Sequence, residues 1–81
     1  MSDTIRVNVY DANGSRLGKA TFSWDENGKK RMYIDNSPVQ GGLSKMGNGF
    51  LAVRGNYRDA QGNMHNPVYV KESEWSDAQQ P

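Results

Sequence analysis

The chain has 81 residues, a formal net charge of +1, no cysteine, 35% hydrophobic and 23% charged residues. That length holds one small domain; the missing thiols exclude a disulfide framework and a thiolate metal site, and the near-neutral charge excludes the basic excess of a protein built to neutralise a phosphate backbone. No apolar run reaches signal-peptide length or the roughly eighteen residues of a membrane span, so the expectation is a cytoplasmic protein with no membrane partner.

In chain order, "TIRVNVY" (4–10) alternates Ile5, Val7 and Val9 with Arg6, Asn8 and Tyr10, the period-two pattern of a strand with one face in a core. "DANG" (Asp11 to Gly14) then reverses the chain. Aspartate at the first position of a type I turn accepts backbone N–H bonds, and glycine at the fourth adopts the left-handed conformation of a bulged hairpin loop. The same form recurs as "DENG" (Asp25 to Gly28) and "DAQG" (Asp59 to Gly62), so three hairpins are expected.

"RLGKATFSW" (16–24) is the return strand of the first hairpin. Pairing Asp11 with Ser15 sets Val9 beside Leu17 but Val7 against Lys19, so the register must shift by one residue, and Gly18 is the expected bulge. Across the second turn, Asp25 facing Lys29 sets Phe22 opposite Met32 of "KRMYI" and Ala20 opposite Ile34. Ala20, Phe22, Trp24, Met32 and Ile34 then share the core face.

"GGLSKMGNGF" (41–50) contains the spacing Gly42-x-x-x-x-Gly47 of a phosphate-binding loop. Such a loop needs Lys and then a hydroxyl residue after its last glycine, where Asn48 and Gly49 stand, so no nucleotide site is expected. Ser37 to Gly49 reads as a long loop offered to a partner, with Lys45 inside it. "KMGNGFLAV" is similar to the ribonucleoprotein motif in setting a basic residue and glycines before Phe50, although Leu51 and Ala52 stand where further aromatics belong. "TFSWDENGKK" resembles the first strand and turn of cold-shock domains without their paired aromatic motifs, and "YDANGSRL" resembles one unit of the tyrosine-aspartate repeats of large surface toxins.

"FLAVRGNY" (50–57) and "NPVYVKE" (66–72) flank the third turn. Their alternation points Leu51, Val53 and Tyr57 one way and Phe50, Ala52, Val68 and Val70 the other, and Pro67, which lacks an N–H, favours an edge. "SEWSDAQQ" alone has a helical reading, with Ser73 as N-cap. The expected fold is all-β: five antiparallel strands in a small barrel or curled sheet over residues 1–72, then an acidic tail or short helix over 73–81.

Candidate chemistry is sparse. "DANGS" spaces oxygen ligands like the start of a calcium loop, but its twelfth position is Phe22, not a bidentate Glu. His65 is the only histidine, too few for zinc without cysteine, and is expected to face solvent beside the third turn. No serine sits in a nucleophile-elbow pattern, and the acids cluster at turn tips and near the C-terminal end. "NGS" at Asn13 matches a glycosylation acceptor and doubles as turn chemistry. No catalytic, metal or cofactor-binding residue is assigned.

What remains is a surface. Residues facing away from the expected core include Arg6, Tyr10, Arg16, Lys19, Arg31 and Tyr33, which with Lys45 of the loop form the expected partner-binding set. Arg and Tyr anchor protein interfaces because they offer large contact area at modest ordering cost. The expectation is a non-enzymatic adaptor or inhibitor that docks on another protein. The alternative is a nucleic-acid-binding barrel using the same basic and aromatic face.

Overall fold

The computed structural model describes residues 4–24 and 31–79. The protein is all-β with one short helix. Six strands close into an antiparallel barrel in the order β1 (Thr4–Tyr10), β2 (Arg16–Trp24), β3 (Met32–Ile34), β4 (Ser37–Lys45), β5 (Phe50–Gly55) and β8 (Val68–Lys71), and β8 returns to β1. A two-stranded ribbon, β6 (Tyr57–Arg58) and β7 (Met64–His65), is inserted before β8, and helix α1 (Glu72–Gln79) follows it. Closure removes the raw edges that an open sheet of this size would expose.

The two described aspartate-to-glycine tetrads fold alike. Asp11 N–H donates to Ser15 O at 2.9 Å and Gly14 N–H to Asp11 O at 3.0 Å; Asp59 N–H donates to Asn63 O at 2.9 Å and Gly62 N–H to Asp59 O at 3.0 Å. Each carboxylate accepts two further backbone bonds on Oδ1: Asn13 and Ser15 donate to Asp11, and Gln61 and Asn63 to Asp59. The second tetrad in the chain, "DENG", lies outside the described residues.

The first hairpin slips where the apolar pattern demands. Val7 pairs with Ala20, Val9 with Gly18 and Tyr10 with Arg16, which leaves Leu17 as the extra residue. Val9 therefore meets Gly18, not Leu17. Gly18 has φ +153°, and a Cβ there would stand 2.7 Å from the Tyr57 hydroxyl oxygen, so only glycine fits without displacing that phenol.

The second hairpin is displaced by two residues from the expected register: Phe22 pairs with Ile34 and Trp24 with Met32. Its register is held from the opposite end of β3. Asp35 and Asn36, at φ +45° and +70°, make a two-residue turn that fixes Ile34 on Ser37 and Tyr33 on Pro38. Asp35 N–H then donates to Thr21 O at 2.8 Å, and Thr21 N–H returns a bond to Asp35 Oδ1 at 3.0 Å. Because the displacement is even, every side chain keeps its face: Ala20, Phe22 and Ile34 are buried, with Trp24 and Met32 packed against them.

The barrel has six strands, one more than expected, because Ser37 to Lys45 is a strand and not a loop. Val39 pairs with Gly55 and Leu43 with Val53, so β4 carries two residues more than β5 between these pairs. Gly41 and Gly42, at φ +81° and +71°, absorb the excess in a bulge that side-chain-bearing residues would strain. A hairpin turn follows, in which Met46 N–H donates to Phe50 O at 3.1 Å and Phe50 N–H to Asn48 Oδ1 at 3.2 Å.

Leu51 pairs with Val70 and Val53 with Val68, and all four are buried, so Val68 and Val70 share the inner face with Leu51 and Val53 and do not oppose it. Nor is β8 an edge; it lies between β5 and β1, and Pro67 stands just before its first paired residue, where a missing N–H costs no ladder bond. Val9, Phe22, Ile34, Val53, Val68 and Val70 fill the interior at 0% exposure. Helix α1 starts at Glu72, one residue before the expected cap, with Glu72 and Glu74 in a first turn that favours acids. Its Trp75 enters the core edge-on to Phe22 at 5.0 Å and tilted against Trp24 at 5.8 Å. Among the described residues every buried side-chain polar atom has a partner.

Candidate interaction surface

On the outer side of β1–β2–β3 the register sets Arg6 beside Thr21, Asn8 beside Lys19 and Ser23 beside Tyr33. Thr21 and Ser23 are short and half-buried, a low floor between the longer side chains. Arg6 and Lys19 are exposed, Tyr33 is half-buried, and exposed Arg31 immediately precedes β3 with the parity of Tyr33. None of these four side chains makes a hydrogen bond or ion pair with another described residue.

Three members of the expected set stand elsewhere. Tyr10 is buried at 7% exposure: its hydroxyl donates to Glu74 Oε2 at 2.9 Å, its ring meets Phe50 edge-on at 5.6 Å, and the Lys71 ammonium lies 5.1 Å from its centroid. It is a structural residue, not an exposed anchor. Arg16 Nε donates to Asn8 Oδ1, and Asn8 Nδ2 to Glu74 Oε1, each at 2.9 Å. The chain Arg16–Asn8–Glu74–Tyr10 fastens α1 over the seam where β1 meets β8 through the single pair Tyr10–Tyr69. Lys45 is exposed at the far end of β4, whereas Pro38 at its start pairs with Tyr33.

Two groups at the β6–β7 ribbon are tied together. His65 is half-buried, and its Nε2 lies 2.8 Å from Asp59 Oδ2, so it does not simply face solvent. That bond, followed by the backbone N–H groups of Asn63 and Gln61, holds the Asp59 carboxyl below the usual carboxylate range. Burial, then the charges of Asp35 and Asp59, pushes the Tyr57 phenol up; its hydroxyl donates to Lys19 O at 3.4 Å. The Asp59–His65 pair was within reach of sequence reasoning, because the third turn sets Tyr57 opposite His65.

Among the described residues no three His, Asp or Glu side chains gather as metal ligands, and no helix is long and apolar enough to cross a membrane. Compared with protein-family models, curated proteins and solved structures, the chain matches none.

Proposed function

We propose that the protein is a small, non-enzymatic module that docks on another protein through the outer face of β1–β2–β3. The observation that carries this reading is that Arg6, Lys19, Arg31 and Tyr33 have no partner among the described residues while their neighbours Tyr10 and Arg16 do. Cations with no partner among the described residues, set around a low hydroxyl floor with a tyrosine beside them, suit an acidic, hydrogen-bonding protein surface. A planar guanidinium can grip a carboxylate with two parallel bonds, and a phenol adds area at little entropic cost.

The test is retention of proteins on the immobilised chain, compared with an Arg6→Ala/Tyr33→Ala double variant and with Arg31→Ala. Retention should fall about tenfold or more for the double variant, as expected when interface anchors are truncated. Partners that survive all these changes would place the interface elsewhere. Retention of random-sequence DNA or RNA that collapses steeply with salt would instead assign the face to nucleic acid.

A further inference from the structure

A cleft of about 210 Å³ opens on the outside of the barrel and shares no residue with the β1–β2–β3 face. Its walls are two turns, Asp11 to Gly14 on one side and Met46 with Asn48 on the other; Phe50 and Tyr69 complete it. Both aromatics alternate with buried residues of β5 and β8 and so point outward, each half-buried. Tyr10 backs Phe50, and Met46 on the rim is 49% exposed. Asp11 is the one carboxylate in the lining, which contains no cation.

The twin turn shows what such a carboxylate accepts. In both tetrads Oδ1 is occupied by two backbone N–H groups. At Asp59 the second oxygen meets the basic ring of His65 at 2.8 Å. At Asp11 the second oxygen has no partner among the described residues, and the residue borders an aromatic-lined cleft. A carboxylate beside aromatic faces complements a cation twice over, through the ion pair and through the ring quadrupoles. An anion would find no positive group among the lining residues, because the nearest described ammonium, Lys71, lies over Tyr10 behind Phe50. The Lys71 ammonium over Tyr10 is the same attraction, used within the chain one ring away.

We propose that this cleft receives an arginine or lysine side chain from an extended segment of a partner protein, with the charged head on Asp11 and the stem or guanidinium plane against Phe50 and Tyr69. The cleft and the β1–β2–β3 face stand or fall separately, since they have no residue in common.

The test is a titration of ¹⁵N-labelled protein with N-acetyl-arginine amide, N-acetyl-lysine amide and the neutral N-acetyl-citrulline amide. The cationic amides should shift resonances of residues 11–14, 46–50 and 69 saturably, and citrulline should bind at least about fivefold more weakly. Asp11→Asn keeps an oxygen for the Asn13 and Ser15 N–H groups, so the hairpin should persist while arginine affinity falls by a similar factor. Asp59→Asn should leave that affinity unchanged. An Arg-bearing extended peptide that binds more tightly than the amide supports a protein source, and equal affinity would overturn that source. Citrulline binding as well as arginine, or shifts centred on Glu72 and Glu74, would overturn the site.

Discussion

Replacing Trp75 by alanine asks whether α1 belongs to the core or only rests on it. The indole is 7% exposed, perpendicular to Phe22 with centroids 5.0 Å apart and 5.8 Å from Trp24. An aromatic of this size removes on the order of 200 Å² from water, worth roughly 5 kcal/mol at about 25 cal/mol per Å². Residual compactness of the unfolded chain and the methyl group that remains lower this to about 3–4 kcal/mol, and the lost ring contacts restore about 1 kcal/mol. The expected cost is therefore about 4–5 kcal/mol, set against a total of roughly 4–12 kcal/mol for a chain of this length. Urea denaturation followed by far-UV circular dichroism reads it. With a slope of about 1 kcal/mol per molar, the midpoint should fall by about 4–5 M, or the variant should be unfolded without denaturant. Trp75→Phe should recover more than half of the loss. A midpoint change no larger than that of Met64→Ala, at a residue 50% exposed, would refute the placement of Trp75 in the core.

Two further outcomes follow from the contacts of Gly55 and from the Asp59–His65 pair of the β6–β7 ribbon. A Cβ on Gly55 would stand 2.8 Å from Ile34 Cγ2 and 3.3 Å from Val39 Cγ2, so Gly55→Ala should cost about 1–3 kcal/mol by overpacking; an unchanged thermal midpoint would mean that β3 and β4 do not close over β5 there. His65→Ala should raise the Asp59 carboxyl toward its ordinary value, as read from its carboxyl ¹³C shift against pH. Because the folded state holds that carboxyl below its unfolded value, its contribution is present above the unfolded pKa and is lost as pH falls through the folded one. The variant should therefore lose less stability than the unaltered protein across that acid window, and identical acid limbs would exclude a stabilising role for the pair.

The legible parts of the fold are those fixed by residues close in sequence. Strands β1 and β2 lie where alternation puts them, and the Asp11 and Asp59 turns form as their local hydrogen-bond chemistry dictates. The conflict between Val7 and Lys19 identified the bulge region from two side chains alone. Strand β4 escaped because its apolar residues are few and Gly41–Gly42 interrupts the period that would reveal them. The β3 register escaped because Asp35 holds it from β2, across fourteen positions of chain. Parity correctly sent Tyr10 and Arg16 outward but could not show what covers them, since Glu74 lies 64 residues from Tyr10. The outward placement of Arg6, Lys19 and Tyr33 was legible because their three strands are consecutive.

One consequence of the topology concerns assembly order. Strand β8 is wedged between β5 and β1, yet it follows both in the chain. A partly folded intermediate without it is an open meander whose two flanking strands each offer a row of unmet peptide groups, the condition that invites self-association. Since the final pairing joins the first strand to the last, loop-closure entropy makes ring completion a late step. Aggregation during refolding should then be governed by how quickly residues 68–71 find their slot, more than by the stability of the finished ring.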